Sequence, residues 1–152
     1  MVCLGNICRS PMAHGILRKK INDLELNVQV DSAGTSSYHI GSTPDLRQQE
    51  TAIIHNLDIS DLSARQFTKD DFDKFDIIYA MDKDNLDNIM ALSRDKNERD
   101  KVFLILNESQ PNKNLDVPDP YYGGSEGFEL VYNLLEQACT VIVKKIADGT
   151  YR

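Results

Sequence analysis

The sequence has no tryptophan, only three cysteines and three histidines, and no surplus of basic residues. Each shortage removes a class of protein. Cys3, Cys8 and Cys139 are too few, and odd in number, for a disulfide scaffold, so a reducing cytoplasm is the expected compartment. His14, His39 and His55 share no metal-ligand spacing with acidic residues, which argues against a metal hydrolase; neither metal nor cofactor is expected. Lys plus Arg number 17 against 24 Asp plus Glu, a net charge of −7, the reverse of the basic face of a nucleic-acid binder. No apolar run is long enough to span a bilayer, and polar Asn6 and Arg9 come too early for a secretory signal. What remains is one ordinary globular domain over residues 1–152, 41% hydrophobic and 27% charged, expected as a monomer with neither nucleic acid nor membrane as partner.

Strands and helices alternate along the chain. Residues 3–10 read Cys-Leu-Gly-Asn-Ile-Cys-Arg-Ser, with Pro11 following. Ser10 reads as an N-cap and Pro11 as a first helical residue, ahead of Ala13, Ile16, Leu17, Ile21 and Leu24 at helical spacing. Val28 and Val30 suggest a short strand running into Asp31-Ser32-Ala33-Gly34, and Thr43-Pro44 opens a second helix to about Asn56. Thr68 to Asp71 resembles a capping box, 76–82 and 101–107 read as buried strands, 84–92 as a helix, and about 126–146 as the last helix. This order implies a parallel sheet covered on both faces, with ligands beyond the carboxyl ends of the strands. Only Met1 and Val2 precede Cys3, so the first strand is either unusually short or has lost residues at its start.

The spacing Cys3-x5-Arg9-Ser10 at a helix N-terminus carries the chemistry. A loop of this size, helped by Gly5, turns successive N–H groups toward one centre, where the helix end adds positive potential. Arg9 offers a planar fork to two oxygens of a tetrahedral dianion. At the bottom of the bowl the Cys3 thiolate gains support from the N–H groups, the Ser10 hydroxyl and Arg9, and lies in line with a bound phosphate. Taken singly, a cysteine near a helix start is an inert thiol in a turn; it is the conjunction of Cys, Gly, Asn, Arg, Ser and Pro that favours an anion cradle. The segment lacks the Gly-Lys-Ser/Thr of a nucleotide-binding loop. Ester cleavage also needs a proton donor, and Asp119, held between Pro118 and Pro120, is the candidate. Tyr121 and Tyr122 beside it can stack on an aromatic substrate.

Cys3-Leu4-Gly5-Asn6-Ile7-Cys8-Arg9-Ser10-Pro11 together with Asp119-Pro120-Tyr121-Tyr122 resembles the low-molecular-weight protein tyrosine phosphatases. The likeness extends to Asp31-Ser32-Ala33-Gly34-Thr35, Ala64-Arg65-Gln66 and Met81-Asp82, in order and spacing. It implies an α/β three-layer sandwich around a four-stranded parallel sheet of flavodoxin-like topology, and a metal-free, two-step hydrolysis of phosphotyrosine in proteins and of small aryl phosphates. By that resemblance Cys3 is the nucleophile, Arg9 binds the phosphoryl group and Asp119 is the general acid and base. Leu4, Gly5, Asn6, Ile7, Cys8 and Ser10 line the phosphate site, which also takes inorganic phosphate or other oxyanions. Ser10 supports the thiolate, Asn6 holds the loop in a left-handed conformation bonded to Ser32, and Cys8 is the partner that traps oxidised Cys3. Tyr38, Tyr121 and Tyr122 wall the aromatic ring, and Ser32 and Asp82 support the loop.

Two departures matter. Family members often carry His three residues before the Arg of Ala-Arg-Gln; here that residue is Leu62, which suggests a smaller supporting network. Phosphoarginine phosphatases tend to have Thr where this chain has Ile7, which favours the phosphotyrosine branch. Arsenate reductase on the same fold needs further cysteines, and 80–97 contain none. A non-catalytic phosphate-binding module would not need both Cys3 and Asp119. His14 is expected on the exposed flank of the first helix, and Asp70, Asp71, Asp73 and Asp76 on a solvated face and at a helix N-terminus.

Overall fold

A computed structural model describes residues 1–151. Period-two alternation sorts the strand side chains onto two faces. Strands β1 (Val2–Cys3), β2 (Ala33–Gly34), β3 (Ile78–Ala80) and β4 (Val102–Leu104) form one all-parallel sheet in the order β2-β1-β3-β4. Cys3, Tyr79 and Phe103 point to one apolar cluster, whereas Val2, Ala33, Ile78, Ala80, Val102 and Leu104 point to the other. Helices α1 (Arg9–Asp23) and α6 (Ser125–Ala147) cover the first face through Met12, Ile16, Val131, Leu135 and Ile142. Helices α3 (Asp70–Lys74) and α4 (Lys83–Leu92) cover the second through Phe72 and Ile89. Helix α2 (Leu46–Ile54) contributes Ala52 to the first cluster. The three-layer α/β architecture and flavodoxin-like strand order are those expected.

The strands are shorter than the sequence suggests. Val28 and Val30 lie outside β2, because a two-residue β1 offers only two residues to pair: Val2 with Ala33 and Cys3 with Gly34. The Met1 ammonium makes the next contact, donating to the Asp31 carbonyl at 3.0 Å. Residues 105–107 leave the sheet as a 3-10 turn, yet Ile105 and Leu106 stay buried. Ser10 is not the cap of α1: the helix begins at Arg9, Cys8 occupies the N-cap position without a side-chain bond, and Ser10 lies inside the first turn. Helix α2 starts at Leu46 rather than Thr43, because the Asp45 carboxylate accepts from the Arg47 N–H. A short helix α5 (Lys96–Arg99) was not anticipated, although Asp95-x-x-Glu98 announces it: Asp95 accepts from Glu98 N–H, and Glu98 accepts from Arg94 N–H.

The last helix keeps its expected inward face, with Phe128, Val131, Leu135, Ala138, Cys139 and Ile142 all buried. Burial pushes the Cys139 thiol up to about 12, so it packs as a small apolar group. Two polar expectations fail. His14 is buried, with Nδ1 3.1 Å from the Ser32 hydroxyl. Asp71 is also buried rather than solvated, and both its oxygens accept from Arg65 at 3.0 Å. Each is buried because a fixed side-chain partner, Ser32 or Arg65, replaces its water. Among the described residues, no helix is long and apolar enough to cross a membrane.

Candidate active site

The carboxyl ends of β1, β2 and β3 bring the site together. Residues 3–8 close a loop whose shape is set by Asn6, in the left-handed region at φ 57°. Asparagine tolerates that conformation better than most side chains. The Asn6 N–H thereby points at Cys3 Sγ, 3.3 Å away. Asn6 also spends its amide on the loop: Nδ2 donates to Ser10 Oγ at 2.7 Å, and Oδ1 accepts from the Arg65 N–H at 3.1 Å. With both groups so engaged it does not bond Ser32 as expected, and the Ser32 hydroxyl meets His14 instead. Leu62 packs against the apolar core, and His14, on α1, meets the Ser32 hydroxyl just ahead of β2. Burial holds the His14 imidazole down at about 4, so it is neutral near pH 7.

Ser10 Oγ lies 3.1 Å from Cys3 Sγ. Because Asn6 donates to Oγ, the single Ser10 proton remains for the sulfur or for the Ala33 carbonyl at the longer 3.4 Å. The sulfur thus faces a backbone N–H, a hydroxyl and the start of α1. Gly34 is required here by close approach: a Cβ on it would stand 2.7 Å from the Leu4 carbonyl oxygen and 3.1 Å from Asn6 N. A Cβ on Gly5 would meet the His39 ring at 2.9 Å.

Arg9 is buried at 3% exposure, and its guanidinium is steered from below. Nη1 donates to Asp82 at 2.6 Å and to the Val117 carbonyl at 3.0 Å, whereas Nη2 lies 3.6 Å from Asp119. Burial works against the charge, but Cys3, Asp82 and Asp119 more than offset it, so the protonated form is reinforced. Asp82 does two jobs, because its other oxygen caps α4 by accepting from Asn85 N–H at 2.7 Å. The loop bearing Asp119 is pinned where Val117 N–H donates to the Met81 carbonyl at 2.8 Å, and the Asp119 carboxylate accepts from Tyr121 N–H at 3.0 Å.

The aromatic residues divide. Tyr121 and Tyr122 meet edge to face at 5.0 Å, and Tyr121 lies 6.4 Å from the His39 ring. Tyr38 and Tyr122 stand largely in solvent, at 78% and 92% exposure, with Leu4 at 42%. The loop bearing Tyr38 is tied to the cradle by the Ser36 N–H and hydroxyl, which both donate to the Leu4 carbonyl. Cys8 is buried beside Asp45, Cys3 and Asp119; burial first, and those charges next, push its thiol well above the ordinary range. His39, Asp45 and Arg47 also lie at the site, although the sequence motifs do not assign them to it. Asp45 and Arg47 share a local helix cap, but only the fold brings them and His39 to the Cys3–Cys8 and Asp119 loops.

A family profile described as low molecular weight phosphotyrosine protein phosphatase matches residues 1–150. The chain belongs to the low molecular weight phosphotyrosine protein phosphatase family. The phosphatase of that name from Homo sapiens is 41% identical over 146 residues, covering 95% of this chain and 92% of the human one. The crystal structure of a protein tyrosine phosphatase from Entamoeba histolytica, with Hepes in its active site, superposes with a TM-score of 0.91 at 38% identity, covering 99% and 96% of the two chains. A Drosophila arginine phosphatase superposes with a TM-score of 0.86 at 33% identity, covering 94% and 93%. The protein is a phosphatase of this family, a hydrolase whose substrates are phosphoproteins.

Proposed function

We propose that the protein hydrolyses phosphotyrosine through a phosphocysteine, with Cys3, Arg9 and Asp119 in the reacting roles. The observation that carries the reading is the placement of Cys3 Sγ under one N–H and one hydroxyl, with Arg9 Nη2 turned toward Asp119. In the first step Cys3 Sγ attacks phosphorus; the S–P bond forms, the P–O bond to the aryl group breaks, and Asp119 gives its proton to the departing oxygen. In the second, water attacks phosphorus, Asp119 takes its proton, and the S–P bond breaks with release of phosphate. Arg9 leans toward the phosphoryl oxygens as charge builds, because Nη1 is fixed by Asp82 while Nη2 is turned to the acid loop. The Ser10 hydroxyl donates to the departing thiolate and stabilises its negative charge. The cradle N–H groups of Leu4 to Cys8 bind the phosphoryl oxygens, and inorganic phosphate and related oxyanions take the same place.

Tyr121 and Tyr122 flank the substrate ring, and Tyr38 joins them once a substrate is bound. Ile7, rather than Thr, favours phosphotyrosine over phosphoarginine, a choice the shared fold leaves open. Cys8 is the partner for oxidised Cys3. The free thiols fit a reducing cytoplasm, and the protein acts as a monomer there.

The test is turnover of phosphotyrosine, phosphoarginine and phosphoserine peptides in chelator. Phosphotyrosine should be preferred, Cys3→Ser should be inactive while still binding phosphate, and Asp119→Ala should lose most on poor leaving groups. Full activity in Cys3→Ser would overturn the assignment.

A further inference from the structure

The carbonyl and the N–H of Tyr121 are held from opposite directions. Its N–H donates to the Asp119 carboxylate at 3.0 Å, while its carbonyl accepts from Arg47 Nη2 at 3.2 Å. Arg47 is the second residue of α2, distant in sequence from the acid loop, and its fork is pre-aimed. Nε and Nη2 donate to the two oxygens of Asp45 at 3.0 and 2.9 Å. The guanidinium lies 4.7 Å from the Phe128 ring, a fully buried platform, and 5.5 Å from the Tyr121 ring. Asp45 in turn donates its N–H to the Ile7 carbonyl of the cradle at 2.8 Å. A continuous chain of contacts therefore runs from the cradle through Asp45, Arg47 and Tyr121 to Asp119. A bidentate pair stacked on aromatic rings holds direction better than a point charge on a flexible stem.

We infer that Arg47 is a positioning residue that fixes the general-acid loop over the phosphate cradle through the Tyr121 carbonyl. This rests on the reading of Asp119 as the acid. Arg47 touches no reacting atom; losing it frees the Tyr121 peptide, and the Asp119 carboxylate loses its aim at the leaving oxygen. Proton donation matters most when that oxygen leaves poorly, so the defect should depend on the leaving group.

The experiment measures kcat/KM, which reports phosphorylation of the enzyme, for phenyl phosphate and p-nitrophenyl phosphate. It compares wild type, Arg47→Ala, Arg47→Lys, Asp119→Ala and the Arg47→Ala/Asp119→Ala pair, with thermal melts and phosphate inhibition alongside. Arg47→Ala should lose about tenfold on phenyl phosphate, part of what a general acid contributes, and less than about threefold on p-nitrophenyl phosphate. Arg47→Lys should recover only part, phosphate inhibition should be unchanged, and the double variant should match Asp119→Ala alone. Equal losses on both substrates, weakened phosphate binding, or a further loss in the Asp119→Ala background would overturn the inference. If Asp119→Ala itself shows no leaving-group dependence, the acid assignment fails first and takes this inference with it.

Discussion

Replacing Gly34 with alanine should damage catalysis more than folding, whereas Gly15→Ala should do the reverse. At Gly34 the new methyl would stand 2.7 Å from the Leu4 carbonyl oxygen, 3.0 Å from Gly5 C and 3.1 Å from Asn6 N. These are backbone atoms of the cradle, so a rotamer change cannot relieve the clash; the loop must shift by several tenths of an ångström. Overpacking of this kind costs about 1–3 kcal/mol. The same shift moves Asn6 N–H off Cys3 Sγ, where it now stands at 3.3 Å. Misplacement approaching an ångström costs about 100-fold in rate. At Gly15 the methyl would fall 2.4 Å from Cγ2 of Ile59, a buried side chain remote from the cradle. There a clash of about 1–3 kcal/mol is partly offset by about 1 kcal/mol of improved helix propensity. For a chain of this size each kcal/mol moves Tm by about 2–4 °C. The assay is kcat/KM on an aryl phosphate at a temperature where both variants are folded, read beside thermal melts and phosphate binding. The reasoning fails if folded Gly34→Ala keeps its kcat/KM within about threefold of wild type, or if Gly15→Ala loses as much as Gly34→Ala.

Three further outcomes are expected. His14 is held at about 4 by burial against an ordinary 6.5, so its neutral form belongs to the folded state. The corresponding stability is complete above pH 6.5 and falls by up to about 3 kcal/mol as pH drops to 4; His14→Gln should show a shallower acid limb in denaturant titrations, and parallel limbs would refute this. Arg65→Ala leaves the buried Asp71 carboxylate with only the Thr68 N–H, at a cost of about 3–5 kcal/mol, and Arg65→Ala/Asp71→Ala should be more stable than Arg65→Ala in the same melts. Asp82→Ala removes both the Arg9 partner and the α4 cap, so kcat/KM should fall about tenfold or more and stability by about 1 kcal/mol; Asp82→Asn, which keeps an acceptor for Asn85 N–H, should lose activity with less effect on Tm.

The cradle was legible because its parts are local. Cys3, Asn6 and Ser10 lie within eight residues, and a loop that short before a helix leaves few ways to arrange them. Where local signals competed, the fold chose. Ser10 has the chemistry of an N-cap but is drawn into the first turn by Asn6 and Cys3. Val28 and Val30 have strand character but lack a partner in β1. His14 and Asp71 look like surface residues until the chain turns back to bring Ser32 to the one and Arg65, six residues away, to the other.

Taken alone, the sequence determined the α/β class and the parallel sheet, and it marked the Cys3–Ser10 loop and the Pro-Asp-Pro segment as the places where chemistry is expected. Those follow from hydrophobic periodicity, helix-start chemistry and the stiffness of Pro-Asp-Pro, all of which act over a few residues. Only the tertiary structure decided which charges meet Arg9, which side chain holds the Tyr121 carbonyl, and which histidine meets Ser32 ahead of β2. Arg9 with Asp82, Arg47 with Tyr121, and Arg65 with Asp71 and Asn6 meet across crossovers or turns of the chain. Directional bonds of this kind depend on where packed helices and strands place their ends, which no local pattern records.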